Sequence, residues 1–174
     1  MTRLRPWLVE LGHALVDEED MDVPCGTCSA CCTSSQFVHV APEDVEARRR
    51  IPEELLFPAP GLPDGHLVLG HDARGHCPML VDGRCSIYDA RPRTCRTYDC
   101  RVFAAAGVAP SDQPDIAAQV QTWTVEPDEG DAPLLDRIRA TVDPQVVRPL
   151  DRALRAVGPV AVELARRSAD EMED

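Results

Sequence analysis

The sequence predicts a helix-rich α+β protein, a small irregular cysteine-rich core with a short hairpin, flanked by N- and C-terminal helices. Three observations predict it: apolar residues recur at helical steps toward both ends, short β-like runs separated by turn residues lie between them, and all eight cysteines fall within residues 25–100. A chain of 174 residues is about one domain by the usual prior of roughly 100–200 residues. The expected organisation is an N-terminal amphipathic helix in 1–22, a cysteine-cluster metal-binding domain in 23–103, and a loop-rich and helical extension in 104–174 that packs on the same domain.

Leu4, Trp7, Leu8, Leu11 and Leu15 share one stripe of a helix expected from Arg3 to Val16. "FVHVAPEDVEARRRIP" predicts a strand near Phe37–Val40 and a helical turn after Pro42, with Glu43 and Asp44 in its first turn. Prolines at 52, 58, 60 and 63 predict an irregular connection. "LVLG" and "CPMLVDGRCSIY" read as strands, the second as a hairpin of Met79–Val81 and Cys85–Tyr88 turning at Asp82-Gly83. "DARPRTCRTYDC" starts a helix with Pro92 near its first turn. One helix is expected at Asp115–Trp123. Helical spacing runs from Leu135 to Val157 with interruptions near Pro144 and Pro149. A break at Gly158-Pro159 precedes a last helix to Arg167, and "SADEMED" is expected to fray.

Composition narrows the function. Only seven residues are aromatic, so the core lacks the side chains that bury most area. The net charge of −12 opposes a phosphate backbone, and no nucleic-acid partner is expected. Against that background, six arginines and three aspartates between Arg74 and Arg101 make a locally cationic segment. Glu10 and His13 interrupt the N-terminal apolar run, and no small-residue cleavage site precedes the Glu18–Asp20 cluster, so a secretory signal is not expected. No stretch approaches the roughly 20 apolar residues of a membrane span. The chain is expected in the cytoplasm, off the membrane, where eight cysteines are not expected to form four structural disulfides.

"CGTCSACC" places Cys25, Cys28, Cys31 and Cys32 in eight positions, and Cys77, Cys85, Cys95 and Cys100 follow. Thiols two residues apart let one turn of backbone wrap a metal, as at zinc and iron–sulfur sites. Adjacent side chains in an extended segment diverge, so Cys31 and Cys32 point to several metal atoms or to two sites. All eight are candidate ligands, for an iron–sulfur cluster, of the four-iron type, or for Zn2+. The competing readings are small buried hydrophobes and metal-free thiol redox chemistry. A bound metal contributes on the order of 10–16 kcal/mol in zinc peptides, enough to offset an aromatic-poor core. Around the sulfurs, His76, Arg91, Arg96 and Tyr98 are expected to supply charge and hydrogen bonds. His39, His66 and His71 are weaker candidates as ligands.

The set "CGTCSACC", "GHCPML", "GRCSIY", "RPRTCR" and "YDC" closely resembles the CxxCxxCC, or YkgJ-like, cysteine-cluster family of zinc- or iron-chelating domains, over about residues 23 to 103. The resemblance implies metal binding by all eight cysteines. A related branch resembles the flagellin lysine N-methylases, whose cysteine-rich segment implies an iron–sulfur centre. The chain is short for that enzyme and has no Gly-rich loop after a strand for a methyl-donor nucleotide. It also has no Ser/His/Asp set, paired carboxylates or phosphate loop, so no catalytic residue is assigned. The reading is a metal-binding protein with a redox, sensing or accessory role toward a partner protein. Its rivals are a zinc-binding structural or interaction module without catalysis, and a methylase-like enzyme.

Overall fold

A computed structural model of the chain describes residues 1–16, 20, 21, 23 and 25–173. Most of the acidic Glu18–Asp20 run and the last residue of the expected tail lie outside the described residues. In chain order the elements are β1 (Thr2–Arg3), α1 (Leu4–Val16), β2 (Val38–Val40), α2 (Val45–Arg50), β3 (Leu56–Pro58), β4 (Leu67–Leu69), β5 (Leu80–Val81), β6 (Arg84–Cys85), α3 (Arg93–Thr97), α4 (Arg101–Ala106), α5 (Pro114–Val120), β7 (Val125–Glu126), α6 (Ala132–Ala140) and α7 (Pro149–Glu173). Short 3-10 turns occupy Ala30–Thr33, Glu53–Leu55 and Tyr88–Ala90. The fold is the expected helix-rich α+β type. Among the described residues no helix is long and apolar enough to cross a membrane. The chain forms two compact units, residues 1–21 with 99–174, and residues 22–98.

The first unit is helical. Leu4, Trp7, Leu8 and Leu11 of α1 are buried as the spacing predicts, and α1 packs on α7. Leu15 departs from the expected stripe and is exposed. Gly12 takes the buried position instead, because a Cβ there would lie 2.3 Å from the Ala161 carbonyl oxygen. Small residues on α7 (Ala153, Ala156, Ala161, Ala165) complete this close approach. α7 also corrects the expected break at Gly158-Pro159: one helix runs through Pro159 to Glu173, so the "SADEMED" stretch is helical as far as Glu173. An interior proline costs roughly 3 kcal/mol. Burial of Val157, Val160, Ala161, Leu164 and Ala165 on either side of it offsets that loss, while Pro159 itself faces solvent. β1 and β7 form a two-residue parallel pair, Thr2 opposite Val125.

The second unit is built on a three-stranded antiparallel sheet of order β2-β4-β3. Val38 and Val40 of β2 face its core with Leu69 of β4, joined by Ala47, Ile51, Met79 and Ile87. The strand β3 was not expected in a proline-rich connection. Ala59 donates its N–H to the His66 oxygen of the neighbouring chain segment at 3.0 Å. By the alternation of an antiparallel ladder, the nitrogen of Pro58, one residue earlier, points to the open edge, where a missing donor breaks no bond. The hairpin forms at Asp82-Gly83 as expected, with both residues at positive φ (49° and 75°) as a two-residue loop of the mirror-image type requires. Its strands are shorter than expected, pairing Leu80 with Cys85 and Val81 with Arg84. α2 begins at Val45, so Asp44 precedes its first turn.

Candidate metal centre

Seven of the eight cysteines, all but Cys100, belong to the unit of residues 22–98. None of the eight forms a disulfide; seven are half-buried and Cys100 is buried. The first block is a series of tight turns rather than an extended segment. Gly26 at φ 55° allows the Cys28 N–H to reach the Cys25 oxygen at 2.8 Å. Cys31 and Cys32 sit in the 3-10 turn Ala30–Thr33, where the Cys32 N–H bonds the Ser29 oxygen at 2.8 Å.

The second block is brought to the first by backbone hydrogen bonds. Cys77 donates its N–H to the Cys32 oxygen at 2.7 Å, and Ser35 donates to the Gly75 oxygen at 2.9 Å. The loop leading into Cys77 is closed by Asp72, whose Oδ1 accepts the N–H groups of Arg74 (2.8 Å) and His76 (2.9 Å). With an ion pair to Arg74 at 3.0 Å, these bonds hold the Asp72 carboxyl down at about 2, the His76 bond first. Cys85 ends the hairpin and Cys95 is the third residue of α3. Cys77, Cys85 and Cys95 pack against the apolar cluster of the sheet.

Six thiols are linked electrostatically through Cys32 and Cys95. Burial raises the Cys32 thiol from 9.0 to about 11, reinforced by Cys77, Cys85, Cys28 and Cys25. Burial pushes Cys95 from 9.0 to about 12, reinforced by Cys32, Cys77 and Cys85, while Arg91 acts in the opposite direction. Cys77 is also raised, first by burial; bonds from the Met79 and Leu80 N–H groups oppose the shift and Cys85 adds to it. Each thiolate would repel the next. A thiophilic cation is the partner that lets such a set ionise, so the donor chemistry fits a zinc or iron centre. The sulfurs are not drawn to coordination distance: among the described residues no three His, Cys, Asp or Glu side chains stand in position to hold an ion.

The other residues singled out in the sequence fall in several places. Arg91 stacks over Tyr88, 3.8 Å from the ring centre, donates to the Tyr88 oxygen at 3.0 Å, and acts on Cys95. The Arg96 guanidinium donates to the Arg91 oxygen and lies 3.7 Å from Asp44. His76 contributes its backbone to the Asp72 loop, and Tyr98 is half-buried at the end of α3, its N–H on the Thr94 oxygen. His39 and His66 pair with each other, Nε2 to Nδ1 at 2.9 Å, and His71 lies against Phe37. Cys100, in the helical unit, accepts the Trp123 indole N–H at 3.1 Å. Sequence reasoning missed Ser35, Asp72 and Gly75 and read Asp44 only as a helix-start residue; "HDARG", an Asp followed two residues later by a bonded N–H, was a readable signal for the loop.

Half-buried thiols in this number are donors suited to soft or borderline metals. The family model CxxCxxCC, described as "Putative zinc- or iron-chelating domain", matches residues 24–113, just over half of the chain. The chain belongs to the CxxCxxCC family. No curated protein and no solved structure matches it.

Proposed function

We propose that residues 22–98 carry a polynuclear thiolate metal centre and that this centre is an iron–sulfur cluster of the four-iron type. The observation that supports it is the surroundings of Cys32, whose thiol interacts with those of Cys25, Cys28, Cys77 and Cys85, and with Cys95 in turn. A mononuclear tetrahedral ion takes four thiolates. A four-iron cluster also takes four; the six thiols linked through Cys32 and Cys95 exceed one mononuclear site, and the two-residue steps of Cys25, Cys28 and Cys31 are the spacing of cluster proteins. These six are its nucleus, and Cys31 is the remaining candidate ligand within the same unit. When bound, a cluster supplies one-electron chemistry, and the role is redox, sensing or accessory toward a partner protein in the cytoplasm. Arg91 favours the thiolate form at Cys95.

A zinc-stapled module without catalysis is the second reading. It is favoured by the apolar cluster of this unit, whose buried members include no aromatic residue and against which Cys77, Cys85 and Cys95 pack. Anaerobic purification from iron-supplemented cells, with visible spectrum, iron, zinc and acid-labile sulfide measured on one sample, separates the two. A brown protein with iron and sulfide in stoichiometric amounts supports the cluster; a colourless protein with bound zinc overturns it.

A further inference from the structure

Asp44 occupies the position before α2 where an aspartate usually caps its own helix. Its side chain makes no such cap. Oδ2 instead accepts the Ala41 N–H at 3.0 Å, and Oδ1 accepts the Arg93 N–H at 2.7 Å, 49 residues along the chain. The Arg96 guanidinium lies 3.7 Å away, and the carboxylate side chain is only 4% exposed. Arg93 is the first residue of α3 and Cys95 its third. A five-residue helix is too short to hold itself, and Pro92 before it has no N–H to anchor it. The buried carboxylate supplies that anchor, tying the start of α3 to the end of β2.

We propose that Asp44 is the positioning residue for Cys95: it fixes the short helix that presents this thiol to Cys32, Cys77 and Cys85. The proposal rests on Cys95 being a metal ligand. Neutral or shortened side chains at 44 leave the sulfur in place chemically but loosen its placement, and the effect is confined to one ligand.

The test is anaerobic Co2+ titration of the metal-stripped full chain, read by thiolate-to-cobalt charge-transfer absorption, for wild type, Cys95→Ser, Asp44→Ala, Asp44→Asn and the Asp44→Ala/Cys95→Ser pair. Cys95→Ser is expected to remove one thiolate's share of the absorption. Asp44→Ala should remove the same share and weaken binding about 10–100-fold, the range for residues that orient metal ligands. The double variant should be no worse than either single one. Asp44→Asn keeps the shape and one acceptor oxygen, giving a smaller effect in the same band, and it carries the test if Asp44→Ala does not fold. Wild-type absorption and affinity in both Asp44 variants, or losses additive with Cys95→Ser, overturn the positioning role. A silent Cys95→Ser overturns the ligand assignment beneath it.

Discussion

Cys77 donates its backbone N–H to the carbonyl oxygen of Cys32 at 2.7 Å, and three residues further along the first block Ser35 makes the matching bond to Gly75. Two hydrogen bonds thus join residues 45 and 40 positions apart, and they do so through backbone atoms rather than through the sulfurs.

Gly75 is where this junction is most easily broken. Its φ is +81°, and a Cβ would stand 2.2 Å from the Ser35 Oγ. Gly75→Ala should lower stability by about 1–3 kcal/mol, measured by urea unfolding of the metal-free protein, and should weaken Co2+ binding. Ser35→Gly in the same chain should recover the steric part by removing the Oγ, and the φ of 54° at position 35 suits glycine.

The thiols give the metal-free protein a weakness at alkaline pH. Cys32 and Cys95 titrate at about 11 and about 12 in the folded protein against 9.0 ordinarily, so the folded state keeps protons that the unfolded chain has released. Stability is therefore full below about pH 9 and falls as pH rises from there toward 12. Chemical denaturation across that range should show the fall. Loading with metal should flatten it, because ligand sulfurs are already deprotonated, and metal uptake at pH 7 should release protons to a weakly buffered solution.

In the helical unit, Asp99 and Arg101 form a buried pair with side chains 1% and 6% exposed. Arg101 donates through Nε to both Asp99 oxygens, at 2.9 and 2.8 Å. Its Nη2 lies 2.6 Å from Oδ2 without the alignment of a hydrogen bond. Trp7 donates to the same Oδ2 at 2.7 Å, and the guanidinium carbon lies 5.6 Å from the Trp7 ring centre and 5.9 Å from that of Trp123. Asp99→Ala should cost about 3–5 kcal/mol, the range for leaving one buried charge alone. Adding Arg101→Met should recover most of it, less the loss at the unpartnered Trp7 N–H. Thermal unfolding of the single and double variants measures both.

Gly12→Ala should destabilise the same unit by about 1–3 kcal/mol, because the added methyl meets the Ala161 carbonyl at 2.3 Å and the Ala165 Cβ at 2.7 Å. The readout is the midpoint of thermal unfolding. Gly158→Ala is the contrast, since its Cβ would meet only Leu15 Cδ1 at 3.6 Å, an ordinary contact.

Local signals carried much of this fold. The spacing of Leu4, Trp7, Leu8 and Leu11 was enough for α1, and Asp82-Gly83 was enough for the hairpin, because both depend on residues a few positions apart. The density of cysteines was likewise enough to mark the metal-binding class. What the sequence hid was set by distant partners. Leu15 is outside because α7 meets α1 at Gly12, and α7 continues through Pro159 because buried alanines and valines on both sides outweigh one lost bond. Asp44 reads as an ordinary helix-start residue, and its link to Arg93 exists only once the sheet has folded. The proline-rich connection hid β3, since a strand at an edge needs donors on one side alone.

Pro58 on that edge has a consequence for the company this protein can keep. A strand arriving from a second molecule would seek a donor and find a pyrrolidine ring, so the three-stranded sheet cannot grow in register past β3. Replacing Pro58 by a residue with an N–H would remove the obstacle while leaving the bonds to β4 intact. The β3 edge thereby carries its own safeguard against pairing with a strand of another molecule.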